Sequence, residues 1–202
     1  MLTRRSFAKT SAMVTAALLA ARTPWLSAAA EEPAQRPMRF GMNYVPRKRW
    51  WYCWLDWDQQ AVRDDLSGVA GLGADHIRVQ CLWPLFQPGI GTVNRRALAN
   101  LHSLLDAADG AGLDVVVTVL NGWMSGLQFM PAWVAPLAGF GKGGNLFTDR
   151  KVVDAEKLLL RRIAETVGGH RRFLGFDIAN EVDVLMNPKS NTGSSVKGED
   201  RC

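Results

Sequence analysis

The residues best placed to do chemistry are a carboxamide and a carboxylate side by side, Asn180-Glu181, in the stretch Phe173 to Asp183 that reads FLGFDIANEVD. The first half of that stretch alternates bulky and small side chains as a buried strand does, and turn-prone polar sequence follows it. Parallel α/β folds carry their chemistry at the C-terminal ends of strands, which makes Glu181 the leading catalytic candidate. The alternative is a carboxylate that caps a strand end in water. Strict strand alternation would send Asn180 and Glu181 to opposite faces, so both reach one site only if the strand ends in a bulge or turn. Arg78 is a further candidate, because an arginine pointing inward from a strand needs an acidic partner. Asp177 and Asp183 are acids that could meet it.

The elements that would position these groups are legible. Arg39 to Val45 is a predicted strand, and a helix is expected from Asp58 with Val62, Leu66 and Val69 on one face, ending at Gly71 and Gly73. A second strand runs His76 to Leu82, and Asn94 caps a second helix whose Leu98, Leu101, Leu105 and Ala108 recur at helical spacing up to Gly110 and Gly112. Leu113 to Leu120 is a β-branched run suited to a strand buried on both faces. A third helix begins near Asp149 with Val152, Leu159 and Ile163, stops at Gly168-Gly169, and leads into the Phe173 strand. This alternation predicts a parallel α/β fold with right-handed crossovers.

The helix-to-strand turns are short and glycine-rich, whereas the strand-to-helix connections are long, the longest running from Asn121 to Thr148. Long connections inside a compact domain are usually functional. Every tryptophan after residue 30 lies in or beside them: Trp50, Trp51, Trp54, Trp57, Trp83, Trp123 and Trp133. Pyranose rings present apolar C–H faces that pack on indoles, so this clustering predicts carbohydrate contact, with burial as loop anchors the alternative.

GMNYVPR at the first strand, HIRVQ with Arg78 at the second and GFDIANEVD at the fourth resemble the N-terminal half of retaining β-glycanases of cellulase and β-mannanase type, glycoside hydrolase family five. The resemblance spans about residues 38 to 185. It implies a (β/α)8 TIM barrel, here about four strand-helix units, cleaving β-1,4-linked glucan or mannan with two carboxylates. It implies that Glu181 is the acid/base, that Asn180 lies near the sugar 2-hydroxyl and the nucleophile, and that Arg78 holds the nucleophile. Trp50, Trp51, Trp83, Asn121 and Trp123 are the expected substrate contacts, with Asn121-Gly122-Trp123 standing where many members carry a histidine. The family's nucleophile is a glutamate near strand seven, and Glu31, Glu32, Glu156, Glu165 and Glu199 are not placed to replace it. The 202-residue chain is therefore expected to be a truncated half-barrel, inactive and poorly folded alone. No metal or organic cofactor is implied. Two other readings remain at this stage, a non-catalytic exported carbohydrate-binding protein and an exported α/β protein of unrelated function.

A whole barrel of this kind needs about 250 residues. The expected organisation is a leader over 1–30, a linker over 31–37, the partial catalytic domain over 38–186 and an unstructured tail over 187–202. The formal charge of +5 includes Arg4, Arg5, Lys9 and Arg22, all within the first thirty residues, where no acid occurs. The remainder is nearly neutral, which gives no reason to expect a nucleic-acid partner. Cys53, Cys81 and Cys202 allow at most one internal disulfide and lack metal-ligand spacing. Arg4-Arg5-Ser6-Phe7 resembles a twin-arginine export motif, followed by an apolar run too short to anchor in a membrane and by Ala28-Ala29-Ala30 as a cleavage site. The partners expected are thus the twin-arginine export machinery and a sugar substrate, in the periplasm or outside the cell. Replacing Arg4 and Arg5 by lysine should block export in a fractionation assay, and undiminished export would contradict the assignment.

Overall fold

The computed structural model describes residues 38–137 and 146–182. The expected leader, linker and tail lie outside those residues, as do Asp183 and Cys202. The described residues from Arg39 onward belong to one compact unit. Four parallel strands, β1 (Gly41–Tyr44), β2 (His76–Leu82), β3 (Asp114–Asn121) and β4 (Phe173–Ala179), hydrogen-bond in that order. They alternate with α1 (Gln59–Gly71), α2 (Arg95–Ala111) and α3 (Arg150–Val167). This is four successive strands of a (β/α)8 barrel.

Each helix starts where its first unpaired N–H groups find a side-chain acceptor. Asp58 accepts from the Ala61 amide, Asn94 from those of Arg96 and Ala97, and Asp149 from those of Lys151 and Val152. Gly112 ends α2 at φ 75°, a left-handed conformation that suits glycine. One face of the sheet packs on these helices through Ile77, Val79, Cys81, Val115, Val117 and Val119, none more than 1% exposed. Leu66, Leu101, Leu105, Leu159 and Ile163 meet them from the helices, fully buried. Full burial of such a side chain is worth about 1.5–3 kcal/mol, so this layer sets the sheet's curvature and register. Cys53 and Cys81 are buried free thiols, and burial pushes the Cys53 thiol up to about 12.

The N-terminal ends of the strands are tied by charge. Arg39 bridges Asp75 at 3.0 Å and Asp114 at 2.7 Å, while Arg172 bridges Asp109 at 2.8 Å and reaches Asp114 at 3.5 Å. Gly41 is required close by, since a Cβ there would lie 2.1 Å from the His76 ring. One polar group sits against the grain of the core. Glu156 falls on the buried stripe of α3, 9% exposed, with Oε1 unpartnered among the described residues.

Burial raises the Glu156 carboxyl from an ordinary 4.5 to about 7. The folded state therefore holds the proton more tightly than the unfolded chain, so stability present in full below pH 4.5 is lost as pH rises towards 7. Glu156→Leu should flatten that dependence and stabilise the fold at pH 8 by roughly 1–3 kcal/mol in denaturant titrations. An unchanged pH profile would contradict the assignment.

Candidate active site

The sheet face opposite the helices carries polar groups in a line. Register pairs Asn43 with Arg78, Arg78 with Val116 and Thr118 with Asp177, so all of them point to this face. Arg78 reaches across β3 to Asp177, with Nε 2.8 Å from Oδ2 and Nη2 on the same oxygen. Its Nη1 donates to Asn43 Oδ1 at 3.2 Å, and its Nη2 also donates to Asn180 Oδ1 at 2.9 Å. Thr118, fully buried, donates its hydroxyl to Asp177 at 3.0 Å. The crossing is possible because Val116, Thr118 and Gly175 are small.

Of the two acids open to Arg78 in the sequence, the one in contact is thus Asp177. The guanidinium keeps partial exposure, its side chain being 26% accessible. Asn43 and Thr118 were not predicted as members of the site. The only sequence signal for them is their position two residues from the end of a predicted strand.

The end of β4 breaks the alternation. Ala179 pairs with Leu120 and faces the polar side, so a regular strand would turn Asn180 away. Asn180 instead lies in a bend, accepts from Arg78, and donates from Nδ2 to the Trp123 carbonyl at 2.8 Å. Glu181 follows at φ 49°, left-handed and exposed, with no hydrogen bond or ion pair among the described residues. The turn that the dipeptide required is present.

The tryptophans divide differently from the expectation. Trp83 is 1% exposed, donates to Gln87 Oε1 at 2.9 Å and packs edge-on against Trp133, so it is a core side chain rather than a sugar platform. Asn121 is wholly buried, with Nδ2 on the Met124 sulfur, and offers no surface to a ligand. Trp51 is 8% exposed, so its ring offers no open face for a sugar to stack on. Trp54 stacks on Trp57 at 5.7 Å and donates to the Gln80 carbonyl, anchoring the first loop. Trp50 remains half exposed and Trp123 is partly buried.

The long connections are more structured than loops. A 3-10 turn spans Trp50–Trp54, a helical turn spans Trp83–Phe86, a short antiparallel pair joins Trp123–Met124 to Leu127–Gln128, and a further helical turn spans Val134–Leu137. Buried Gln87 binds them together, accepting from Trp83 Nε1 on its side chain and from Trp133 Nε1 on its backbone carbonyl, and donating to the Ala155 carbonyl. Pro84 at the start of the helical turn is the local signal that could have revealed it.

This geometry has counterparts among solved structures. A GH5_18 protein from Streptomyces cattleya in complex with GlcNAc is 44% identical, with a TM-score of 0.68 over 73% of this chain and 35% of that one. The structural neighbours are family five glycoside hydrolases. A GH5_18 variant from Bifidobacterium longum in complex with Manβ1-4GlcNAc is 32% identical, with a TM-score of 0.70 over 76% of this chain and 36% of that one. An exo-β-1,4-mannosidase from an Opitutaceae bacterium is 30% identical, with a TM-score of 0.66 over 73% and 25%. The chain spans about a third of the length of the first two and a quarter of the third. No protein-family model and no curated protein matches the sequence.

The division among the tryptophans is measurable by chemical denaturation. Trp83→Ala should cost about 3–5 kcal/mol because it empties a core site, whereas half-exposed Trp50→Ala should cost no more than about 1 kcal/mol. Equal costs would contradict it.

Proposed function

We propose that this chain is part of a secreted family five glycoside hydrolase that cleaves a β-1,4-linked mannoside by a retaining mechanism. The observation that carries the reading is the Arg78–Asn180 contact beside Glu181 at the C-terminal end of β4, where barrel enzymes keep their chemistry. Three neighbours at 30–44% identity, two of them named for Manβ1-4GlcNAc or β-1,4-mannosidase action, favour mannose over glucose. The export-like residues 1–30 support action outside the cytoplasm.

In this reading Glu181 donates a proton to the leaving glycosidic oxygen and then, ionised, takes one from the attacking water. A retaining partner carboxylate stands about 5 to 5.5 Å away and attacks the anomeric carbon. Asp177 lies within β4, on the same strand that delivers Glu181, and two carboxylates along one strand do not flank a glycosidic bond from opposite faces. The nucleophile is accordingly assigned to residues beyond the described strands, and a chain of these 202 residues is expected not to turn over. Asn180, clamped between Arg78 and the Trp123 carbonyl, presents its amide edge to the sugar beside the reacting carbon.

In the complete enzyme, Glu181→Ala should slow β-mannosides with poor leaving groups at least a hundredfold more than activated aryl mannosides, which need little protonation. Azide should restore part of the rate and give a mannosyl azide of retained configuration. Equal slowing of both substrate classes without azide rescue would remove Glu181 from the acid/base role.

A further inference from the structure

Beside the site lies a small cavity whose lining is unsatisfied. Trp51 Nε1 and Gln80 Oε1 are both buried without a hydrogen-bond partner among the described residues. Both residues line the same cavity of about 10 Å³, together with Tyr44, Trp50 and Trp54. An unpaired buried donor or acceptor costs about 1–3 kcal/mol, and here the residues that carry one of each line a single small space. A hydroxyl satisfies both at once, accepting from the indole N–H and donating to the amide oxygen.

Position distinguishes this cavity from an ordinary internal water site. Gln80 is two residues beyond Arg78 and so on the same sheet face, one step nearer the strand ends. Trp54 holds its backbone carbonyl at 3.1 Å, and β3 carries a bulge opposite the residues that follow Gln80. Bulges beside active sites commonly re-aim side chains. Next to Trp51, at a ring separation of 4.7 Å, stands half-exposed Trp50. Arg49 and Trp50 have φ of 65° and 50°, two successive left-handed residues at a cost of about 1–2 kcal/mol each. Ion pairs of Arg49 with Asp56 at 2.7 Å and of Lys48 with Asp58 at 2.9 Å brace that corner.

Resting on the glycoside hydrolase reading above, we infer that Trp51 and Gln80 form a hydroxyl-recognition subsite for a pyranose packed on Trp50. A water fills the cavity in the free protein and the sugar hydroxyl displaces it. One donor and one acceptor suit a bare hydroxyl, so the sugar seated there carries an unsubstituted hydroxyl at that carbon.

The test is calorimetry of the full-length gene product with β-1,4-mannobiose, in a Glu181→Gln background to suppress turnover. Trp51→Phe keeps an aromatic ring but deletes the donor, and Gln80→Leu deletes the acceptor. Each should weaken binding about five- to tenfold, with the double variant no weaker than the worse single one and melting temperatures little changed. Unchanged affinity in both variants overturns the subsite. If Trp50→Ala then still lowers affinity, the sugar-binding reading survives that failure. A large drop in melting temperature in both variants, with affinity lost only in proportion, assigns the cavity to a structural water and also overturns it. No mannobiose binding by the Glu181→Gln background overturns both the subsite and the reading on which it rests.

Discussion

The arrangement depends on one guanidinium. Arg78 rises from the second strand and must find an acid, and the nearest inward-facing one is two strands away on Asp177. To meet it the side chain lies across β3, which demands small residues beneath it and leaves its remaining N–H groups aimed at Asn43 and Asn180. With side chains 26% and 35% accessible, the pair contributes at most about 1 kcal/mol, as partly exposed ion pairs do. Its effect is geometric, because one planar fork fixes the positions of side chains on two other strands and of the residue before Glu181.

Backbone strain is distributed in the same sense. The non-glycine residues with positive φ among those described are Arg49, Trp50, Ser125 and Glu181, and every one lies past the C-terminal end of a strand. The opposite end holds regular turns, Gly73 and Gly112 supplying positive φ, and a ring of arginine-aspartate pairs. Strained conformations persist where surrounding structure over-determines them, and here ion pairs and buried indoles supply that support. The molecule thus separates a stabilising end from an end built to hold side chains in uncommon positions.

Much of this was legible from the residues alone. The four strands and three long helices lie within two residues of their predicted limits, because Asp58, Asn94 and Asp149 are strong caps and the apolar periodicities are unambiguous. The turn at Asn180-Glu181 followed from alternation. What could not be read was which indoles point outward. Trp83 and Trp51 occur in sequence contexts no different from that of Trp50, and their burial is decided by the turns Trp50–Trp54 and Trp83–Phe86, which are held by tertiary contacts of Trp54 to Gln80 and of Gln87 to Trp133 and Ala155. Local propensity carries no signal for such contacts. Asp177 was legible only as one of two acids, since choosing between it and Asp183 requires knowing how far a guanidinium reaches across a twisted sheet.

On the proposed function, the Arg78–Asn180 clamp sets Glu181 against a glycosidic oxygen. The most direct measurement is a crystal structure of the full-length Glu181→Gln variant with β-1,4-mannobiose. The glycosidic oxygen is expected within hydrogen-bond distance of the residue 181 carboxamide, with the Asn180 amide on the sugar and Arg78 still paired with Asp177. Mannobiose bound away from the C-terminal end of β4, or a residue 181 side chain turned away from the glycosidic bond, would contradict it.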